Sequence, residues 1–218
     1  MPRTEARYVE AAADAGAAEQ FVPRVDLREA LVETPKFPKI RVVRDDAALR
    51  RIGEMRHRQY VERQGKNYPA LPGLQGCLVE EIDAFAVNIY AEDRTGITCA
   101  MRINDLADAR HPQVEYFRSL ASQLGIAERT ALTCSRLVRA PEHSGRHVPQ
   151  LIDFVRLQTV RAGWRYCIMQ TAERLVPFFC KFEFRDSGIS SIDPVAGRLQ
   201  VLVLDTRNDP VKRRGISP

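Results

Sequence analysis

TALTCSRLVRAPEHSGRHVPQLIDFVRLQTVRAG, residues 130–163, is the stretch on which the fold turns. TALTCSRLVRA reads as an apolar strand interrupted by Arg136. PEHSGRHV is rich in turn formers, and PQLIDFVRLQTVRAG reads as a helix that stops at Gly163, because glycine accepts the backbone conformation that closes a helix. Strand, turn and helix thus follow within one short span.

Downstream, WRYCIMQT reads as a strand, ERLVPFFCKF as a short helix, and FEFRDSG with GRLQVLVLD as a final pair of strands. Upstream, PQVEYFRSLASQL reads as a helix with Pro112 in its first turn. AFAVNIYA places Phe85, Val87 and Ile89 on one face, and ITCAMRI does the same for Ile97, Cys99, Met101 and Ile103. The turn EDRTG between them predicts a hairpin. IRVV at 40–43 predicts a first strand, and DDAALRRIGEMRHRQYVERQ a helix capped by Asp45 or Asp46. Residues 1–38, Ala-rich and then Pro-punctuated, are expected to form a mobile or loosely packed leader ahead of one domain at 39–218. The order β-α-β-β-α-β-α-β-α-β-β predicts an α/β or α+β sheet flanked by helices. Neither GxGxxG nor GxxxxGKS occurs, so no nucleotide fingerprint is present.

Composition narrows the function. A 44% hydrophobic and 7% aromatic content suits an ordinary globular core. No run approaches the ~18 apolar residues of a membrane span, and MPRTEARYVEAAADAGAAEQ lacks an apolar signal core, so a cytoplasmic protein is expected. Cys77, Cys99, Cys134, Cys167 and Cys180 show no CxxC spacing, and no metal-ligand pattern joins them to the histidines. They are expected as reduced, mostly core residues, with no metal. The net charge of +5 is too mild to imply nucleic acid. Arginines 136, 139, 146, 156, 161 and 165 nonetheless outnumber Glu142 and Asp153 in one span, which suits phosphates, an acidic protein partner or merely a solvated face.

SRLVRAPEHSGRHV followed by a helix resembles the strand-turn-helix junction of GNAT acyltransferases, and FFCKFEF (178–184) resembles their F-Y-x-K-L-G-F element. The resemblance implies a mixed, mostly antiparallel central sheet with helices on both faces. It also implies a donor-binding segment of Leu137, Val138, Arg139, His143, Ser144, Gly145, Arg146 and His147, whose N–H groups would meet the pantetheine or phosphates of an acyl thioester. Ser144, His147 and Pro149 replace the basic residue and two glycines of the R-x-x-G-x-G signature, and Phe179 replaces the tyrosine that protonates a thiolate. These departures weigh against routine acetyl-CoA chemistry.

A narrower resemblance spans about residues 40–190. MRHRQYVERQGK resembles the R-x-x-x-F/Y signature of autoinducer synthases and N-acyl amino acid synthases, with Arg56 and Tyr60. EEIDAFA resembles their E-x-D segment, giving Glu81, Asp83 and Phe85; AMRI gives Arg102, and TCSRLV gives Arg136. Thr133 and Ala86 stand where those families carry acids, and Lys66 where they carry an aromatic. Lost acids argue against S-adenosylmethionine and lactone formation, and leave room for another amine.

Amide formation from a thioester needs a neutral amine, a proton acceptor and donors for the oxyanion. Glu81 and Asp83 are candidates for a base through partial desolvation, or for structural partners of Arg56 or Arg102. Arg102 and Arg136 suit a substrate carboxylate, or an internal ion pair with Glu81 or Asp83. Strict alternation puts Thr133 and Arg136 on opposite faces, so both line one site only if a β-bulge intervenes; Thr133 is otherwise a packing residue. Cys134, among apolar neighbours, is a poor nucleophile. An acyl tunnel is expected among Phe117, Leu120, Leu151, Phe154, Val155, Met169, Leu175 and Phe178, all of which also read as core.

The expected function is an N-acyltransferase with no permanently bound cofactor. It would move a medium or long acyl group from acyl carrier protein, or from acyl-CoA, to an amino acid or similar small amine. Alternatives are an acyl-homoserine-lactone synthase using S-adenosylmethionine and a non-catalytic acyl-binding module of the same fold.

Overall fold

The computed structural model describes residues 25–69, 71–108 and 110–208. Seven strands form one sheet: β1 (Ile40–Val42), β2 (Val87–Asp93), β3 (Gly96–Asp105), β4 (Ala131–Arg139), β5 (Tyr166–Ala172), β6 (Arg185–Asp193) and β7 (Gly197–Asp205). They lie in the order β1-β2-β3-β4-β5-β7-β6. Every neighbouring pair is antiparallel except β4 and β5. The helices are α1 (Leu27–Ala30), α2 (Asp46–His57), α3 (Pro112–Gln123), α4 (Val148–Arg161) and α5 (Val176–Cys180). Asp45 caps α2, its side chain accepting from the Ala48 N–H at 2.7 Å. Among the described residues no helix is long and apolar enough to cross a membrane.

Alternation along the central strands makes a core on each face. Val87, Ile89, Met101, Ile103, Cys134 and Met169 face α4 together with Leu151, Phe154 and Phe179. On the other face, Phe117 and Leu120 of α3 pack on Ile168, Val201 and Val203, and Ile52 and Met55 of α2 pack on Tyr90, Ala100 and Val138. The sheet is therefore covered on both sides, in two apolar patches on the α2/α3 face. Between those patches lie charged side chains.

Of the leader expected at 1–38, residues 1–24 lie outside the described residues, and the remainder is tied down. Leu27 and Leu31 are buried in the α4-side core, and Gln158 Nε2 donates to the Val32 carbonyl at 2.6 Å. Apolar residues four apart on a one-turn helix bury together, so the packed part of the chain begins ahead of residue 39. Cys77, Cys99, Cys134 and Cys167 are buried thiols, while Cys180 is exposed.

Candidate functional site

Two irregularities in the sheet create the site. The parallel pairing of β4 with β5 runs from Ala131–Tyr166 to Cys134–Met169 and then stops. Both strands continue, β4 along β3 to Arg139 and β5 along β7 to Ala172, so they diverge and leave a fork. The second irregularity lies opposite, where Ala100 pairs with Val138 but Arg102 pairs with Ser135. One residue of β3 faces two of β4, Arg136 and Leu137: a β-bulge. Arg136 adopts φ 51°, a left-handed backbone that a non-glycine residue enters only under constraint. The bulge that the sequence required for Thr133 and Arg136 to share a face is thus present.

On the α4 side the fork opens into a narrow apolar cavity. Met101, Cys134, Leu137, Ile152, Val155, Cys167, Met169, Phe179, Phe184 and Leu204 line it, with Arg156 and Thr159. Of the residues expected to form a tunnel, Val155 and Met169 do so. Leu151 and Phe154 are solid core, Phe117 and Leu120 belong to the core on the other face, Phe178 packs beside the α4-side core, and Leu175 is exposed. Phe179 contributes ring surface to the wall where a tyrosine was the alternative. Glu183, at the glycine position of the F-Y-x-K-L-G-F element, carries φ 68° and is held by Arg156 Nη2 at 2.8 Å.

On the other face a charge cluster fills the gap between α2 and α3. Arg56 is fully buried; its Nη1 donates to Asp83 Oδ2 at 2.9 Å and its Nη2 to Asn88 Oδ1 at 2.7 Å. Arg102, also fully buried, donates to Ser135 Oγ at 3.0 Å, Glu80 Oε2 at 2.8 Å and Gln113 Oε1 at 3.2 Å. Arg136 grips Glu80 with two prongs, Nε to Oε2 at 2.7 Å and Nη2 to Oε1. Three guanidinium groups therefore meet two carboxylates, an excess of one positive charge.

Glu80 is the charged member of this cluster that the sequence did not single out, and Asn88, Gln113 and Ser135 are its uncharged ones. Residues 81–85 form a 3₁₀ turn, and the Glu80 N–H donates to Asp83 Oδ2 at 2.9 Å. That spacing turns Glu80 and Asp83 to one side and leaves the neighbouring Glu81 exposed. The adjacent acids of EEIDAFA differ by one step of a turn, and the E-x-D match selects the outward one. An acid three residues before Asp83 was the available signal.

The electrostatics run against a raised carboxylate. Burial alone would lift the Glu80 carboxyl, but the Arg136 hydrogen bond and the charges of Arg102, Arg136 and Arg56 outweigh it and hold it at about 2. Burial opposes ionisation of Asp83 too, and Arg56 and Arg102 again prevail, so its carboxyl lies below the usual range. Both acids stay ionised and serve as partners of the arginines, not as proton acceptors near neutrality. Thr133 is buried, and its Oγ1 and the cross-strand Asn104 Oδ1 have no hydrogen-bond partner among the described residues. Asn104 Nδ2 meanwhile holds the Phe85 carbonyl at 3.1 Å.

At the mouth of the fork Tyr60, in the π-helical turn Arg58–Glu62, donates its hydroxyl to the Leu137 carbonyl at 3.2 Å. Burial raises the Tyr60 pKa, which keeps that donor protonated. Beyond β4 the turn to α4 carries the expected donor segment. Val138 is buried against α2, so it belongs to packing. His147 is buried too: Thr98 Oγ1 donates to the Ala91 carbonyl and lies 2.9 Å from His147 Nδ1, which therefore supplies the proton of that contact. Arg139, Ser144 and Arg146 are exposed, with Arg139 Nη1 on the His143 carbonyl and Arg146 Nη2 3.0 Å from Asp93 Oδ2. Gly145 takes φ 81°, and a Cβ there would lie 2.8 Å from Arg139 Cδ.

No family model matches this sequence, and no curated protein does. Solved structures do resemble the fold. The CoA-dependent acyl-homoserine lactone synthase BjaI, solved with SAM and isopentyl-CoA, is 16% identical over 83% of this chain and 90% of its own, with a TM-score of 0.64. TofI, solved in a ternary complex with an inhibitor and MTA, is 18% identical over 83% and 98%, at 0.62. FeeM, an N-acyl amino acid synthase from uncultured soil microbes, is 13% identical over 77% and 89%, at 0.60. The chain therefore has the GNAT-like acyltransferase fold in the form shared by autoinducer synthases and an N-acyl amino acid synthase.

Proposed function

We propose that the chain is an N-acyltransferase that moves an acyl group from a thioester to the amine of an amino acid or a similar small amine. One observation carries this reading: the β4–β5 fork joins an apolar cavity to a polar cluster, and Leu137 belongs to both sides. Its side chain lines the cavity, while its carbonyl accepts from Tyr60. An acyl chain laid in the cavity has its carbonyl carbon at the fork, beside the face where Arg136 and Glu80 meet. A neutral amine attacks there; the C–N bond forms, the C–S bond breaks, and the amine's proton passes through solvent to the departing thiolate.

The arginines supply the positive field in which the tetrahedral oxyanion develops, and Glu80 and Asp83 fix their positions. The donor is proposed to be acyl carrier protein in preference to acyl-CoA. Arg139, Arg146 and Arg58 stand exposed around the fork's rim, and acyl carrier proteins are strongly acidic. A sulfonium acceptor such as S-adenosylmethionine is disfavoured, because it would bring a third cation to a rim that already holds Arg136 and Lys66.

The test is mass spectrometry of lipid extracts from cells expressing the chain, beside a Met169→Trp variant. The larger ring fills the cavity, so a new acylated amine is expected from the intact protein and a shorter-chain or absent product from the variant. A lactone product would replace this reading with a homoserine-lactone synthase. Bound acyl groups without any new amide would indicate a binding module.

A further inference from the structure

After the π-helical turn the chain reverses through Gly65, which has φ 64°. The Lys66 N–H donates to the Tyr60 carbonyl at 3.0 Å, and this fold-back lays the lysine over two rings. Lys66 Nζ is 5.3 Å from the centroid of Tyr60 and 5.9 Å from that of Tyr68. The Arg136 guanidinium lies over the same rings, at 5.7 and 4.3 Å. Two cations thus share a shelf of two tyrosines, whose faces attract them through the ring quadrupole.

The cations are not equally matched. Arg136 is held by both oxygens of Glu80. Among the described residues, Lys66 has no carboxylate at ion-pair distance. Its pKa lies below the usual lysine value, first because it is partly buried and then because Arg136 repels it; Asp193 opposes this and Arg174 adds to it. Such a cation, half withdrawn from water beside a second one, is a place where an anion gains on binding. The shelf also stands at the fork, since Tyr60 is bonded to Leu137, whose side chain lines the cavity. An anion on Lys66 is therefore next to the thioester's reacting end. Arg102 and Arg136, which the sequence offered as carboxylate binders, are already committed to Glu80 and Asp83.

We infer that Lys66, on the Tyr60–Tyr68 shelf, binds the carboxylate of the amine acceptor, so that the acceptor is an amino acid with a free carboxylate and not a simple amine. The inference rests on the proposed acyl transfer and adds to it the acceptor's second functional group.

The experiment uses the purified full chain and the common amino acids, each beside its carboxamide and its decarboxylated amine. Binding is read by calorimetry and saturation-transfer NMR, and acyl transfer by mass spectrometry. One or more free carboxylates should bind about tenfold or more tighter than the matching carboxamide, the usual size of a charge-assisted hydrogen bond. Lys66→Gln should bring that ratio close to one with folding unchanged, and Lys66→Arg should restore most of it. A carboxamide that binds as well as its acid overturns the inference, as does a preference that survives Lys66→Gln or a panel in which nothing binds. Product on all amines without carboxylate preference overturns this inference and leaves the acyltransferase reading standing. Lysine-dependent carboxylate binding without any product does the reverse.

Discussion

Replacing Glu80 by glutamine removes one negative charge from between Arg102 and Arg136 while keeping the shape of the side chain. The size of the effect follows from the carboxyl's position at about 2 against the usual 4.5. That difference corresponds to about 3 kcal/mol of preference for the ionised form in the folded state. The side chain is 22% exposed, so solvent screening brings the expected loss to about 2–3 kcal/mol at pH 7. For a domain of this size the melting temperature should fall by about 5–10 °C. A carboxyl whose folded pKa is depressed stabilises fully above its unfolded value, and the contribution disappears as pH falls through the folded one. The gap between wild type and Glu80→Gln should therefore be complete above about pH 5 and close progressively toward pH 2.

Trp164 is the single tryptophan and is buried, so its fluorescence reports urea unfolding at each pH. Glu81→Gln is the internal control, since that exposed side chain should change stability by no more than about 0.5 kcal/mol. Equal losses in the two variants, or a Glu80→Gln gap of the same size at pH 7 and pH 3, would refute the placement of Glu80 between the arginines.

Two further outcomes are expected. Gly53 lies inside α2, where alanine ordinarily stabilises a helix by about 1 kcal/mol, but a Cβ there would stand 2.4 Å from Cys77 Sγ and 2.7 Å from Val79 Cγ2. Gly53→Ala should thus lower stability by about 1–3 kcal/mol in urea titrations and, by displacing the segment that leads to Glu80, reduce turnover; a stabilised variant would show that the segment yields freely. Arg139→Glu combined with Arg146→Glu should raise KM for an acyl carrier protein donor by about tenfold and flatten its salt dependence while leaving kcat nearly unchanged, and an unaltered KM and salt response would exclude docking at this rim.

Much of the fold is legible in residue order because most elements announce themselves locally. Asp45 caps α2, Pro112 opens α3, and GRLQVLVLD coincides with β7. The separation of Arg102 from Met101 and Ile103 onto opposite faces is likewise a matter of alternation. What stays hidden depends on tertiary geometry. Whether Glu80 or Glu81 turns inward is decided by where a 3₁₀ turn starts, and Asp83 and three arginines from other elements fix that start. Val155 and Phe154 are adjacent on α4, yet one lines the cavity and the other is solid core, a difference set by the fork beneath them. Leu27 and Leu31 stand in VDLREALV, residues 25–32, with Val25 and Val32, which are exposed, and only the α4-side core sets the two pairs apart.

The extra residue at Arg136–Leu137 amounts to a frame shift in the pleat. Read from Ala131, the alternation that sends Cys134 to the cavity would send Arg136 there too and turn Leu137 toward the acids. After the added residue the phases exchange, so a guanidinium reaches Glu80 and an aliphatic wall closes over the cavity. The number of residues between Cys134 and Val138 is therefore as much a part of this site as their identities. A regular strand of the same length, without the bulge, would keep every side chain of the set and still present Arg136 and Leu137 to the wrong medium, charge toward oil and oil toward charge.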